Sequence, residues 1–384
     1  YEVMPWPDRI YQGLYRIAGT DQKERIPRSY STQMQVMINT LNDIRTSDKQ
    51  ISGTHGIGVL MANSLMFQRF PDHNGYDDPQ FSSFYGQTLP LLKRGIPVEL
   101  VHMENTPFKD TFNGLQVLVM SYSNMKPMKS EYHNYLADWV KKGGTLVYCG
   151  EDVDPYQTVL EWWNTAGNAY KAPSEHLFEA MGLSRNPGDG TYRFGKGTVI
   201  VMREDPKHFV LKGGNDRKYF ETIASAYQSK TGKKIEIKNN FMVERGPYTI
   251  AAVMDESSSK EPLKLSGLYI DLFDKDLPIL TVKQINPGEQ GYLYDLNKVS
   301  GKVKAKVLCG ASRIYDEKVG KQSYSFVAKS PLHTTNVSRV LLPRKPGKIL
   351  VNGNAEQPEW DESSKTLLLR FENDPAGVNV LIEW

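Results

Sequence analysis

The residues best suited to chemistry lie at the end of one apolar run, residues 145–150. Cys149 is a candidate nucleophile, because a cysteine attacks as its thiolate and a neighbouring base can generate that thiolate. Glu151, Asp152 and Asp154 follow at once. Closely spaced loop carboxylates can bind a hard cation or act as an acid/base pair. The simpler alternatives, which the sequence favours, are a buried structural cysteine and solvated loop acids.

A helix and a strand must position these groups. Tyr132, Leu136 and Val140 recur at helical spacing, and the glycines at 143 and 144 predict the end of that helix. The run at 145–150 then reads as a buried strand of an α/β unit. Open α/β sheets bind ligands beyond the carboxyl ends of their strands, which is where Cys149 would lie.

Strand and helix patterns alternate from residue 56 to residue 203, which predicts a doubly wound, mostly parallel sheet. Polar residues follow the predicted strands and form the candidate substrate-binding set, for a sugar or small polar ligand: Asn63, Ser64, Ser123, Asn124, Glu151 and Asp152. A vestigial pocket or a subunit contact is the favoured alternative. No glycine-rich phosphate loop follows the first strand, so we expect no nucleotide and no other cofactor.

Short β-prone runs separated by turn formers replace this pattern from residue 233 onward. Many short strands at such spacing predict an antiparallel β-sandwich. The predicted fold class is therefore α/β plus all-β. We predict a strand and helix segment over 1–50, an α/β domain over 51–232 and the sandwich over 233–384.

The first residues could contribute to a sugar site. The rim of such a site could be formed by Glu2, Trp6, Asp8 and Arg9. Trp6 could stack on a pyranose ring, and Glu2, a weak catalytic candidate, could bond hydroxyls or act as an acid or base. The favoured alternative is a linker strand anchored by the tryptophan. Because the sequence opens at Tyr1 with neither an initiator methionine nor a signal peptide, we expect a fragment or a processed form.

Composition excludes several classes of protein. The 384 residues carry a formal net charge of +3 with no dense basic stripe, so no nucleic acid partner is indicated. The two cysteines are far apart and form no C-x-x-C pattern, which disfavours a disulfide framework and a metal site built on thiolates. No apolar stretch reaches the roughly 18 residues of a membrane span.

Several segments resemble a known family. Residues 117–124, 139–147 and 194–199 are similar to the class I glutamine-amidotransferase-like domain that follows the catalytic barrel of family 42 β-galactosidases. In those enzymes it is called the trimerisation domain and is not catalytic. Residues 243–248 and 351–353 resemble the C-terminal β-domain of bacterial glycoside hydrolases. These motifs are specific to a fold and not to a reaction.

The resemblance implies a flavodoxin-like sheet and an inactive cysteine. An active amidotransferase carries its nucleophile on a G-x-C-x-G elbow with a downstream His-x-Glu pair. Here Val147 and Glu151 replace the elbow glycines, and neither His176 nor His208 belongs to such a pair.

The predicted function is a non-catalytic accessory region of a carbohydrate-degrading glycoside hydrolase, periplasmic or extracellular. Its expected partners are a glycan or an upstream catalytic barrel, and further copies of the same chain in a homo-oligomer. The alternatives are a free-standing carbohydrate-binding or surface-interaction protein and, least favoured, a hydrolase that depends on Cys149.

Overall fold

The computed structural model describes residues 13–44, 49–66, 81–211, 213–299, 301 and 304–384. These residues form two compact units. The α/β unit comprises Ser52–Phe241 and Met254–Lys260. The β unit comprises the described residues of Tyr1–Ile51, Met242–Val253 and Glu261–Trp384. The predicted boundaries after residues 50 and 232 stay a prediction.

The helices and strands are numbered along the described chain. The α-helices are α1 (Arg28–Asp43), α2 (Gly86–Leu92), α3 (Glu131–Lys141), α4 (Pro173–Ala180), α5 (His208–Leu211) and α6 (Asp216–Thr231). The strands up to the end of the α/β region are β1 (Leu14–Arg16), β2 (Lys23–Arg25), β3 (Lys49–Ile51), β4 (Ile57–Met61), β5 (Glu99–His102), β6 (Val117–Met120), β7 (Thr145–Cys149), β8 (Gly190–Phe194) and β9 (Gly197–Met202). The later strands are β10 (Asn240–Arg245), β11 (Tyr248–Val253), β12 (Leu263–Asp271), β13 (Ile279–Ile285), β14 (Gln290–Asp295), β15 (Lys306–Gly310), β16 (Arg313–Val319), β17 (Ser323–Lys329), β18 (Thr335–Leu341), β19 (Lys348–Val351), β20 (Asn354–Ala355), β21 (Glu359–Asp361), β22 (Thr366–Glu372) and β23 (Val378–Glu383).

The α/β unit is built on one six-stranded mixed sheet. Its strand order is β5-β4-β6-β7-β9-β8, with parallel pairing from β5 to β9 and an antiparallel edge strand β8. The strand predicted over 195–201 is β9, which begins two residues later, at Gly197, and ends at Met202. The strand before it, β8, was not predicted: Gly195 takes a left-handed φ of 58°, so the chain turns there and β8 and β9 form a hairpin.

Alternate residues of each central strand face two separate cores. Leu118 and Leu146 pack on one side of the sheet with residues of α3 and α4. Val119 and Val147 pack on the other side with residues of α2, α5 and α6. Because side chains alternate along a strand, strands buried on both faces carry continuous apolar runs, which is the pattern seen in the sequence.

The β unit is rich in antiparallel sheet, so the fold class is α/β plus a β-rich region. Its sheets have the orders β13-β12-β14-β11-β10-β3, β15-β18-β22-β21 and β16-β17-β23-β19-β20, and β1 and β2 form a separate hairpin. Side chains of β15, β18 and β22 share one core with side chains of β17, β19 and β23. A neighbouring core contains Val36 of α1 together with tyrosines of β11 and β14.

The described helices include none that is both long and apolar enough to cross a bilayer.

Candidate functional site

The carboxyl ends of β4, β6 and β7 form the candidate site. These strands run parallel, so the segments that follow them meet at one edge of the sheet. Ser64, after β4, exchanges two hydrogen bonds with the backbone of Lys126: its Oγ donates to the carbonyl at 2.7 Å and accepts from the amide at 2.9 Å. The amide of Asn63 donates to Glu104 Oε1 at 2.9 Å. Asn63 and Ser64, two of the predicted crevice residues, therefore bond to neighbouring segments of the protein itself.

Gly150 lets the chain leave β7 close to the end of β6. Its φ of 137° lies in the left-handed region. A Cβ added there would lie 3.0 Å from the Oγ of Ser123 and 3.2 Å from the Oγ of Ser121. The Oγ of Ser121 also accepts the amide of Ser123 at 3.0 Å. Both serines and Asn124 are buried, so this part of the crevice is filled.

Cys149 is the last residue of β7 and is fully buried. Its side chain packs with Val147 and Met202 on the α6 side of the sheet. Burial raises the pKa of the thiol, and the negative charges of Glu204 and Asp189 raise it further. A thiol that stays protonated and out of contact with solvent is a poor nucleophile. This placement disfavours a hydrolase based on Cys149.

Asp152 is a buried ion-pair partner. One carboxylate oxygen accepts the hydroxyl of Tyr148, and the other accepts Ser174 Oγ at 2.7 Å and Arg203 Nη1 at 2.6 Å. The Asp152 side chain is only 9% exposed. The expectation of solvated loop acids is therefore wrong for this residue, because groups distant in the chain cover and neutralise it.

Asp154 makes a second buried ion pair. Its Oδ2 lies 2.7 Å from Lys126 Nζ, and the two side chains are 2% and 8% exposed. Gln157 Nε2 donates to the same oxygen at 2.9 Å, while the amide of Tyr156 donates to Oδ1 at 3.0 Å. Burial lowers the pKa of Lys126, and Asp154 partly restores it. This acid is also not solvated.

Glu151 alone of the three acids is exposed. Asp152 and Asp154 bind different cations, and the three carboxylates therefore do not form one ligand-binding group. Among the residues that the structure describes, no group of three or more His, Cys, Asp or Glu side chains is placed to hold a metal ion. The substrate-binding role of Glu151 and Asp152 stays a prediction.

A hydrogen-bonded histidine pair lies on the side of the sheet opposite Cys149. His133 Nε2 is 2.6 Å from the hydroxyl of Tyr122, and its Nδ1 is 2.8 Å from His176 Nδ1. Trp162 packs edge-on against both imidazole rings. Burial lowers the pKa of His133 well below its ordinary value, and His176 adds to that effect. Sequence reasoning did not identify His133, although it shares a helical face with Leu136 and Val140.

Acid is expected to destabilise the α/β unit through His133. An unfolded histidine takes up a proton near pH 6.5, whereas buried His133 does so only at lower pH. The stability contributed by neutral His133 is therefore complete above pH 6.5 and is lost as the pH falls toward the native pKa, by up to about 1.4 kcal/mol per pH unit.

Urea denaturation at pH 8, 6.5 and 5.5 would measure this loss for the parent protein and for His133→Gln. We expect a smaller loss in the variant, whose side chain does not titrate. Equal losses in the two proteins would contradict the prediction.

The predicted sugar-site residues Glu2, Trp6, Asp8 and Arg9 lie outside the described residues. Their roles stay predictions.

No family model and no curated relative matches the sequence. Solved structures of glycoside hydrolases are similar to it at low identity. A β-galactosidase from Bacillus circulans sp. alkalophilus is 12% identical with a TM-score of 0.40, over 68% of this chain and 43% of that one. A β-galactosidase from the psychrophilic Marinomonas ef1 is 11% identical with a TM-score of 0.36, over 68% and 41%. An α-L-fucosidase from Paenibacillus thiaminolyticus is 10% identical with a TM-score of 0.29, over 87% and 49%.

The chain thus spans less than half the length of each of these proteins. At these identities and TM-scores, the likeness assigns neither an activity nor a substrate.

Proposed function

We propose that this chain is a non-catalytic accessory region of a carbohydrate-degrading glycoside hydrolase. Its α/β unit would be a doubly wound, amidotransferase-like domain that serves as a scaffold and supports oligomerisation. Its β unit would contain a β-sandwich that braces a catalytic barrel or holds glycan. The whole enzyme would act in the periplasm or outside the cell.

One observation carries the non-catalytic part of this proposal. Two of the three acids at the carboxyl edge of the sheet bind cations of the protein itself, in the Arg203–Asp152 and Lys126–Asp154 pairs. A catalytic acid or base must reach a substrate proton, and these carboxylates are buried against cations. The strand order from β5 to β9 matches the flavodoxin-like order 2-1-3-4-5, which supports the doubly wound assignment.

Hydrolysis assays on the purified chain test the absence of catalysis. We expect no release of 4-nitrophenol above buffer from a panel of 4-nitrophenyl glycosides, because Asp152 and Asp154 are buried in ion pairs and Cys149 is fully buried. An authentic β-galactosidase serves as the positive control. Turnover by the chain that is lost in Glu2→Gln or in Cys149→Ser would contradict the proposal.

The genomic reading frame tests the accessory role separately. We expect it to encode a (β/α)-barrel with paired carboxylates on the N-terminal side of Tyr1. A reading frame without a hydrolase domain would favour a free-standing carbohydrate-binding or surface-interaction protein.

A further inference from the structure

A polar cleft lies within the β unit. It has a volume of about 610 Å³ and is bounded by the last turns of α1, by β15 and by the first half of β16. Its polar lining includes Asp43, Lys306, Arg313, Tyr315 and Glu317. We propose that this cleft binds an uncharged glycan. The class of ligand, a glycan, is taken from the proposed function, whereas the position of the site is inferred from the cleft itself.

The two carboxylates of the cleft are each held by a buried tyrosine. The hydroxyl of Tyr248 donates to Asp43 Oδ2 at 2.8 Å, and the hydroxyl of Tyr324 donates to Glu317 Oε1. Burial raises the pKa of both phenols, so they stay protonated and act as donors. A carboxylate fixed through one oxygen is oriented before a ligand arrives, which lowers the entropy cost of binding.

The charges of the cleft favour a neutral polyol. Lys306 and Arg313 balance the negative charges of Asp43 and Glu317. With two charges of each sign, these lining residues have no net charge that would attract an anion or a cation. Sugar hydroxyls, in contrast, both donate and accept, so they can bond to carboxylates and to guanidinium N–H groups in the same site.

Tyr315 supplies an aromatic surface at the cleft. The residue is 44% exposed, and Lys329 Nζ lies 5.5 Å from the ring centroid. A partly exposed tyrosine offers a rigid apolar face with a polar tip, which suits the C–H face of a pyranose ring.

Both strands that line the cleft are irregular. The β15–β18 register shifts between Val307 and Cys309, and the β16–β17 register shifts between Tyr315 and Lys318. Asp316 has a φ of 51°, an uncommon conformation for a residue other than glycine. Bulges bend a strand and redirect its side chains, and they are frequent next to binding sites. Two bulges beside one cleft point to a shape built for a ligand.

A glycan array of neutral hexose and pentose oligosaccharides, with tetragalacturonate as an anionic probe, tests the proposal on the full chain. We expect binding to at least one neutral oligosaccharide, followed by titration calorimetry on that ligand. Tyr315→Ala and Glu317→Gln are each expected to raise its Kd at least tenfold.

The matched control is Tyr15→Ala, because Tyr15 is 42% exposed and lies on the separate β1–β2 hairpin. It should leave the Kd unchanged. Circular dichroism would verify that all variants are folded. If one of the cleft variants does not fold, Arg313→Ala takes its place in the binding measurement.

No binding to the neutral array, tighter binding to tetragalacturonate, or a Kd insensitive to the cleft variants would overturn the proposal. Such a failure would leave the accessory role standing, since that role is tested by hydrolysis and by the reading frame.

Discussion

Gly197→Ala is expected to destabilise the α/β unit by about 3 kcal/mol, at the upper end of the usual cost of overpacking, because the new methyl group has no space. A Cβ on Gly197 would lie 1.9 Å from the carbonyl oxygen of Val140 and 2.4 Å from that of Gly144. Real Cβ atoms do not approach heavy atoms so closely. Both obstacles are backbone atoms, so a change of side-chain rotamer cannot relieve the overlap.

The position of Gly197 explains why the backbone cannot easily move. It begins β9, whose next residue, Thr198, donates its amide to the carbonyl of Gly144 at 3.2 Å. The amide of Lys196 donates to the carbonyl of Lys141 at 2.9 Å. The end of α3 and the start of β9 are thus bonded on both sides of the glycine, and a shift would break these bonds.

Urea denaturation followed by circular dichroism would measure the effect. The matched control is Gly188→Ala in the same unit, where an added Cβ meets no heavy atom within 4 Å and φ lies outside the left-handed region. We expect that variant to stay within about 0.5 kcal/mol of the parent protein. Equal denaturation midpoints for the two variants would refute the packing explanation.

Asp152→Ala is expected to cost about 3–5 kcal/mol of folding free energy, because it leaves Arg203 buried without its counter-charge. Arg203 is 18% exposed as a side chain, and its Nη1 is 2.6 Å from the carboxylate. The substitution also removes the acceptor for Ser174 Oγ and for the hydroxyl of Tyr148. Three side chains therefore lose their shared carboxylate in a single change.

The neighbouring acid provides the control for Asp152. Glu151→Ala removes the same charge from an exposed position one residue earlier, and we expect a change within about 0.5 kcal/mol. Thermal unfolding at low and high salt would compare the two variants. If both cost the same, the effect would come from net charge and not from the buried network.

Local patterns were enough to locate the elements around the candidate site. The helix predicted from Tyr132 to Val140 is α3, Glu131–Lys141, and the apolar run at 145–150 is β7, Thr145–Cys149. These predictions succeed because helical spacing and short β-prone runs are properties of neighbouring residues. Strand β8, Gly190–Phe194, was not predicted because its residues form no apolar run, so its hairpin with β9 was missed as well.

The same local patterns could not assign side chains to partners. Asp152 and Arg203 are 51 residues apart, and Lys126 and Asp154 are 28 apart. A sequence gives no register between such distant segments. For this reason the interpretation of Asp152 and Asp154 as solvated acids was wrong. His133 was missed for the same reason, since its partners are also distant in sequence.

The sequence by itself determined that a helix, a glycine turn and a buried strand lead to Cys149, and that the elbow glycines of an active thiol enzyme are absent there. The face of the sheet that each side chain occupies follows from the packing of the strands and helices and could not be read from the local pattern. The tertiary structure placed Cys149 in the core beneath α6 and the histidine pair on the other side. It also gave Asp152 and Asp154 their own cations, because burial of a charge is tolerated only where folding brings an opposite charge to it.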